Sequence, residues 1–169
     1  PTIEMHRNLP IDIQVKHIIA MNNINDIIIS NCYPTYEELK VLGSMRKDMV
    51  TFDVAIEENI REVEKKILFE EIHFNRGDIS DSLIRSTQSR VKYKGYKFEL
   101  FNTPKIIKRG DIVIESSEYG HYAGELQIAL TDMKNSGKSN VVGYIRKEEL
   151  FILDYIKPWQ KFNFKPSTK

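Results

Sequence analysis

The chain has 169 residues, of which 41% are hydrophobic and 29% charged, with a formal net charge of +1. That is enough for one ordinary domain, or one domain plus part of another, around a real core. The balance excludes a global field drawing the chain to nucleic acid or an anionic membrane, no apolar run reaches the roughly 20 residues of a membrane helix, and the single cysteine, Cys32, excludes an internal disulfide.

The lone thiol and the lack of a visible signal peptide lean towards a cytoplasmic location. The first residue is Pro1 rather than Met, so we expect the chain to begin inside a longer product.

Residues 1–47 read as alternating β and α. "PTIEMH" extends as a short strand. Pro10 suits the first turn of a helix, and Ile11, Val15, Ile18 and Ile19 recur at helical spacing until Asn22-Asn23 stop it. "DIIIS", 26–30, is a β-branched run bounded by turn formers, as in a strand buried on both faces. Thr35 with Glu38 has the spacing of a capping box and opens a helix through "YEELKVLGSM". The unit is β-α-β-α, that of a parallel sheet or (β/α) barrel.

After Lys47 the pattern changes. "MVTFDVAI", 49–56, alternates at period two, with Val50, Phe52, Val54 and Ile56 against Thr51, Asp53 and Ala55. "NIREVEKKILF", 59–69, reads as a short helix. Strands follow in "VKYKGYKFELF", turning at Gly95, in "PKIIKRGDIVIESS", turning at Gly110-Asp111, and in "GELQIAL", 124–130. "KNSGKS" is a polar hairpin-like loop. "NVVGYIRKEELFILDYI" reads as a strand plus a helical or 3₁₀ turn, and the tail from Lys165 as frayed. Short strands with glycine turns give a mostly β barrel or sandwich, with the domain boundary near 46–50.

The four histidines are scattered. No HExxH, CxxC, GxGxxG or GxxxxGK[ST] occurs, so neither a metal site nor a nucleotide-cradling loop is expected. On a βα scaffold, Glu4, His6 and Arg7 end the first strand, and Asn31 follows the second, where side chains face a ligand crevice. The alternative is a solvated loop with an Arg–Glu pair.

"HFNRGDISDSLIRSTQSR", 73–90, is the most unusual stretch. It carries three arginines and no lysine or glutamate in a chain otherwise rich in both. Gly77 allows a tight turn holding Arg76 against Asp78. Arg85 and Arg90, with Asn75, Ser86 and Ser89, add the forks and hydroxyl donors that a phosphate or carboxylate needs. The alternative is a surface loop of Arg–Asp pairs, each worth about 0–1 kcal/mol. In "EYGHYAGELQIAL", Tyr119, His121 and Tyr122 read either as a stacking surface for a sugar or as core residues of a hairpin.

In order along the chain come "PTIEMHR", "DIIISN", "EELKVL", "HFNRGD", "IRSTQSR", "RGDIVI", "YGHYAGELQIAL", "NVVGYI" and "LDYIKPWQKF". Together they resemble the C-terminal part of the bacterial 6-phospho-N-acetylmuramidase family, formerly catalogued as outer surface proteins of unknown function. The resemblance spans essentially the whole chain.

It implies a multidomain α+β protein: the last two βα units of a (β/α)₈ barrel in residues 1–47, then a cyclophilin-like, mostly β barrel in 48–169. It implies a cofactor-free glycosidase that splits a 6-phospho-N-acetylmuramic acid–N-acetylglucosamine disaccharide in peptidoglycan recycling. Arg76, Asp78, Arg85 and Arg90 with Asn75, Ser86 and Ser89 would then grip the phosphorylated amino sugar, opposite Glu4, His6, Arg7 and Asn31.

The first six βα units would lie outside this sequence, and the catalytic carboxylates with them, so the 169 residues alone are expected to be inactive. A homo-dimer would cover the exposed barrel remnant. Two other readings stay open. One is a non-catalytic sugar-phosphate-binding or regulatory module. The other is a cyclophilin-like prolyl isomerase, which fold analogy alone does not carry.

Overall fold

The computed structural model describes residues 3–29 and 33–167. A 3₁₀ turn at Glu4–His6 leads into helix α1, Ile11–Met21, which ends at Asn22 in the left-handed conformation (φ 52°). Helix α2, Tyr36–Ser44, carries the expected capping box. Thr35 Oγ1 accepts the Glu38 N–H, and the Glu38 carboxylate accepts the Thr35 N–H.

Strand β1 is Val50–Ile56 and helix α3 is Glu62–Glu70. Then come β2 (His73–Phe74), β3 (Leu83–Ser86), helix α4 (Gln88–Lys92), β4 (Ile106–Ile107) and β5 (Asp111–Glu115). A 3₁₀ stretch, Ser117–Tyr122, precedes β6 (Leu126–Ala129), β7 (Met133–Lys134) and β8 (Ser139–Ile145). A second 3₁₀ stretch, Lys147–Tyr155, precedes β9, Lys161–Pro166.

Seven strands form one sheet in the order β2-β9-β1-β8-β5-β6-β3, and β4 pairs with β7 in a second, small sheet. All pairings in the large sheet are antiparallel except β1 with β9. The sheet is nearly closed, because its two edge strands meet. His73 Nδ1 of β2 lies 2.9 Å from Ser86 Oγ of β3, and the Arg76 N–H donates to the Arg85 carbonyl at 2.9 Å. Closure removes the open edges that invite pairing with another chain.

Strand alternation sends Phe52, Val54, Ile84, Ile112, Ile114, Leu126, Ile128, Val142, Phe162 and Phe164 to one inner face. Helix α3 packs along β9 and adds Val63, Ile67 and Leu68. The opposite face of β5, β6 and β8 buries a smaller cluster of Val113, Ala129 and Val141 with Ile107 of β4.

Several expected elements differ. "PTIEMH" is not a strand over its described residues but a 3₁₀ turn, so Glu4, His6 and Arg7 do not end a strand there. Residues 26–29 have no ladder partner, and Ile28 is 82% exposed, because no neighbouring strand flanks them among the described residues. "VKYKGYKFELF" begins inside α4 and continues as chain without a ladder partner, with Phe98 buried in the core and Tyr93 and Phe101 packed against it.

The expected alternation of β1 fails at two positions. Ile56 is exposed and Asp53 is buried, because Lys16 of α1 donates to Asp53 Oδ2 at 3.2 Å and to Glu149 Oε1 at 2.6 Å. Of the tail expected to fray from Lys165, Lys165 and Pro166 instead close β9, paired with Asp53 and Val54 of β1, and residues 168–169 lie outside the described residues.

Candidate functional site

The pleat builds the site. On β6 and just before it, Leu126 and Ile128 face the core while Glu125 and Gln127 face the other way. Cross-strand register sets Arg85 opposite Gln127, and Glu115 opposite Ser139. A polar row therefore runs over the outer face of β3, β6, β5 and β8. It is nevertheless buried: Glu125, Glu115, Gln127 and Ser139 are all shielded from solvent.

Three arginines from three different segments converge on Glu125. Arg85 of β3 pairs with Oε1 at 2.7 Å, Arg90 of α4 with Oε2 at 3.1 Å, and Arg76 approaches Oε2 at 3.9 Å. Arg76 also grips Asp78 with two bonds of 2.7 Å across the Gly77 turn. A Cβ at Gly77 would sit 2.5 Å from the Trp159 ring, so only glycine lets Trp159 cover this turn.

The guanidinium groups of Arg85 and Arg90 each lie 5.3 Å from the centre of the Tyr122 ring. Burial opposes the Arg85 charge, but the Glu125 carboxylate outweighs it and holds the Arg85 pKa above its usual value. Arg76, Arg85 and Arg90 keep side-chain exposures of 27%, 21% and 26%, so each is paired and still reached by solvent.

Behind Glu125 lies a second carboxyl. Glu115 accepts a hydrogen bond from Ser139 Oγ at 2.7 Å, and burial pushes its pKa up to about 7. Gln127 donates to Glu125 Oε1 at 3.3 Å.

The predicted residues divide as follows. Arg76, Asp78, Arg85 and Arg90 come together. Ser86 and Ser89 are buried and already engaged: Ser86 Oγ lies 2.8 Å from Gln88 Oε1 and stitches β3 to His73, while Ser89 donates to the Gly124 carbonyl at 2.6 Å. Asn75 turns the other way and donates to the Ile156 carbonyl at 3.3 Å, beside an open cleft of about 600 Å³ that Met21, Leu153 and Lys157 also line.

Glu4 and Arg7 form an exposed pair with bonds of 2.6 and 2.8 Å, and His6 is buried with its Nε2 2.7 Å from His17 Nδ1. Among the described residues, no hydrogen bond or ion pair joins these three to the arginines. Asn31 lies outside the described residues. Tyr119 and Tyr122 are not core residues; both sit in the partly exposed 3₁₀ stretch.

Sequence reasoning missed Glu115, Glu125, Gln127 and Ser139. The alternation of "GELQIAL" contained the signal, two polar residues on one side of a strand, but that pattern ordinarily marks a solvated face.

Glycine 124 precedes Glu125 with φ +80°, and a Cβ there would lie 2.6 Å from the Phe98 ring. Gly124→Ala is expected to cost about 2–3 kcal/mol from overpacking and backbone strain together. Urea unfolding checks this, and a loss below about 0.5 kcal/mol would contradict the steric argument.

The only metal-compatible acidic group among the described residues is Asp12, Asp53 and Glu149, with oxygens within 4.8 Å of one another. The Lys16 ammonium already bonds two of the three. No helix among the described residues is long and apolar enough to cross a membrane.

Comparison with known proteins gives two family models in series. One described as 6-phospho-N-acetylmuramidase, N-terminal, matches residues 1–44, and one described as 6-phospho-N-acetylmuramidase, C-terminal, matches residues 50–165. A solved B. cereus protein, described as uncharacterized, is 43% identical with a TM-score of 0.91, over 97% of this chain and 47% of its own. A conserved Enterococcus faecalis protein of unknown function shares the fold at 23% identity and a TM-score of 0.71, over 98% of this chain and 44% of its own. This chain thus spans somewhat less than half the length of these solved relatives. No curated protein matches it. With both family models in sequence order and the C-terminal one covering most of the chain, the protein belongs to the 6-phospho-N-acetylmuramidase family.

Proposed function

We propose that this chain is the C-terminal part of a glycosidase that hydrolyses a 6-phospho-N-acetylmuramic acid–N-acetylglucosamine disaccharide in peptidoglycan recycling. Its share of the work is to hold the anionic substrate. The observation that carries this is the convergence of Arg76, Arg85 and Arg90, from three separate segments, on one buried carboxylate. Each arginine pairs with a protein carboxylate and its side chain stays partly exposed, so a cluster of guanidinium groups, the donors an oxyanion needs, lies within reach of solvent.

In this reading residues 1–47 close a (β/α)₈ barrel and 48–169 form the cyclophilin-like domain. The division between the two family models between residues 44 and 50 supports that boundary. So does an apolar surface from Ile24 to Val41, including Tyr33 at 98% exposure, that needs cover. The missing barrel units or a second copy of the chain would supply it, and sedimentation of the 169-residue chain should then show self-association. In this reading the site of action is the cytoplasm.

Catalysis itself falls to carboxylates elsewhere in the longer polypeptide, since Glu125 and Asp78 are committed to arginines. The test is hydrolysis of a chromogenic 6-phosphomuramic glycoside by the full-length protein, abolished by Arg85→Ala or Arg90→Ala. Binding of 6-phospho-N-acetylmuramic acid without any turnover by the full-length protein would instead identify a non-catalytic sugar-phosphate module. Unimpaired turnover in both variants would end the proposal.

A further inference from the structure

We infer that the arginine cluster is a proton-coupled dianion site, in which Glu115 takes a proton from solvent as a phosphomonoester docks. The inference rests on the reading that these arginines hold the substrate anion, and it adds what happens to charge when they do.

Charge accounting motivates it. Three guanidinium groups face two carboxylates in direct contact, Glu125 and Asp78. With Glu115 neutral the cluster carries one net positive charge, and with Glu115 ionised it carries none. A phosphomonoester brings close to two negative charges at neutral pH and three terminal oxygens, one for each outward-facing guanidinium. Two negative charges on a neutral cluster leave a buried excess of two, whereas a proton on Glu115 halves it.

The geometry selects Glu115 over Glu125 as the acceptor. Glu125 is held by Arg85 at 2.7 Å and Arg90 at 3.1 Å, both of which favour its ionised form. Glu115 sits one strand further back with a single side-chain partner, the neutral Ser139 hydroxyl of β8. The charged groups acting on it are Glu125, from the start of β6, which disfavours ionisation, and Arg85 of β3, which favours it. An anion on the outer side of Arg85 draws on the same positive charge. It removes the one field that supports an ionised Glu115.

Burial already places the Glu115 pKa at about 7 in the free protein. A further rise therefore falls in the range where binding is readily measured. The Ser139 hydroxyl can rotate to accept from the protonated carboxyl, so no heavy atom needs to move.

The experiment is calorimetric titration of the protein with 6-phospho-N-acetylmuramic acid between pH 7 and 9, in two buffers of different ionisation enthalpy. Over most of this range the ester is already a dianion and contributes little proton exchange of its own. Binding is expected to take up at least half a proton per site near pH 8. Affinity should weaken towards tenfold per pH unit above the free-state Glu115 value.

Glu115→Gln should abolish both effects while still binding. Ser139→Ala removes a donor that favours the ionised carboxyl, and should move proton uptake to higher pH, which keeps the test decisive if the glutamine variant folds poorly. Binding with no buffer-dependent heat, or uptake that persists in Glu115→Gln, would overturn proton coupling and leave the anion site standing. Failure of the protein to bind the ester at all would overturn both.

Discussion

Lys16→Met is expected to lower the free energy of unfolding by about 3–5 kcal/mol, a large share of the total for a domain of this size. Lys16 is 2% exposed, and its ammonium lies 2.6 Å from Glu149 Oε1 and 3.2 Å from Asp53 Oδ2. The other Glu149 oxygen accepts the Asp53 N–H at 2.9 Å, so the ammonium is the charge that lets two carboxylates share one buried place. The pair that remains near Asp53, Arg146 at 3.9 Å and Lys165 at 3.2 Å, is more exposed and does not contact Glu149.

The deficit should depend on pH. Asp53 is depressed in the folded protein: burial works to raise it, but Lys16 and Lys165 together prevail. A depressed carboxyl stabilises the fold above its unfolded value, and that contribution is lost as pH falls through the folded one. Without Lys16 both carboxyls rise and can be neutralised by protons in mild acid. The variant should therefore lag the parent more at pH 8 than at pH 5. Urea midpoints at the two pH values check this, and Lys16→Met with Glu149→Gln should recover part of the loss. A deficit below 1 kcal/mol at pH 8 would show that water reaches the cluster.

Arg85→Ala is expected to weaken binding of 6-phospho-N-acetylmuramic acid by about 100-fold or more. Truncating one member of a buried, hydrogen-bonded charge pair ordinarily costs about 2–5 kcal/mol, and tenfold in affinity corresponds to about 1.4 kcal/mol. Arg85 has three duties here. It pairs with Glu125, lies 3.8 Å from Asp78, and rests on the Tyr122 ring. In the proposed site its loss would remove a ligand donor and leave Glu125 to the remaining arginines, drawing Arg90 and Arg76 inward. Arg85→Lys should restore little, because an ammonium cannot reach both sides. Arg46→Ala, which breaks an exposed pair with Asp48, should leave affinity unchanged. A loss below fivefold for Arg85→Ala would separate the cluster from ligand binding.

Where local chemistry decided the outcome, the sequence was readable. The Thr35–Glu38 capping box, the Asn22 stop and the Gly110 turn each depend on neighbours a few residues apart, and each appears as expected. The absence of lysine and glutamate from 73–90 also singled out the three arginines that converge on Glu125.

What escaped depends on partners far along the chain. "DIIIS" has strand composition, yet a strand needs something to pair with, and none flanks 26–29 among the described residues. Asp53 looked like the wet side of β1, but a lysine 37 residues earlier and a glutamate 96 residues later bury it. Glu125 looked like the start of an ordinary half-solvated strand. Only tertiary structure reveals that three arginines roof it over.

The position of Lys161–Pro166 between β2 and β1 in the large sheet bears on how the protein is made. During synthesis the N-terminal strand β1 emerges more than a hundred residues before its parallel neighbour. Until that late segment leaves the ribosome, β1 and β2 have no strand between them, and the apolar row of Val50, Phe52 and Val54 stays open on one flank. Nascent chains stalled before Phe162 should accordingly be captured by chaperones or degraded, whereas those released just after Pro166 should resist protease.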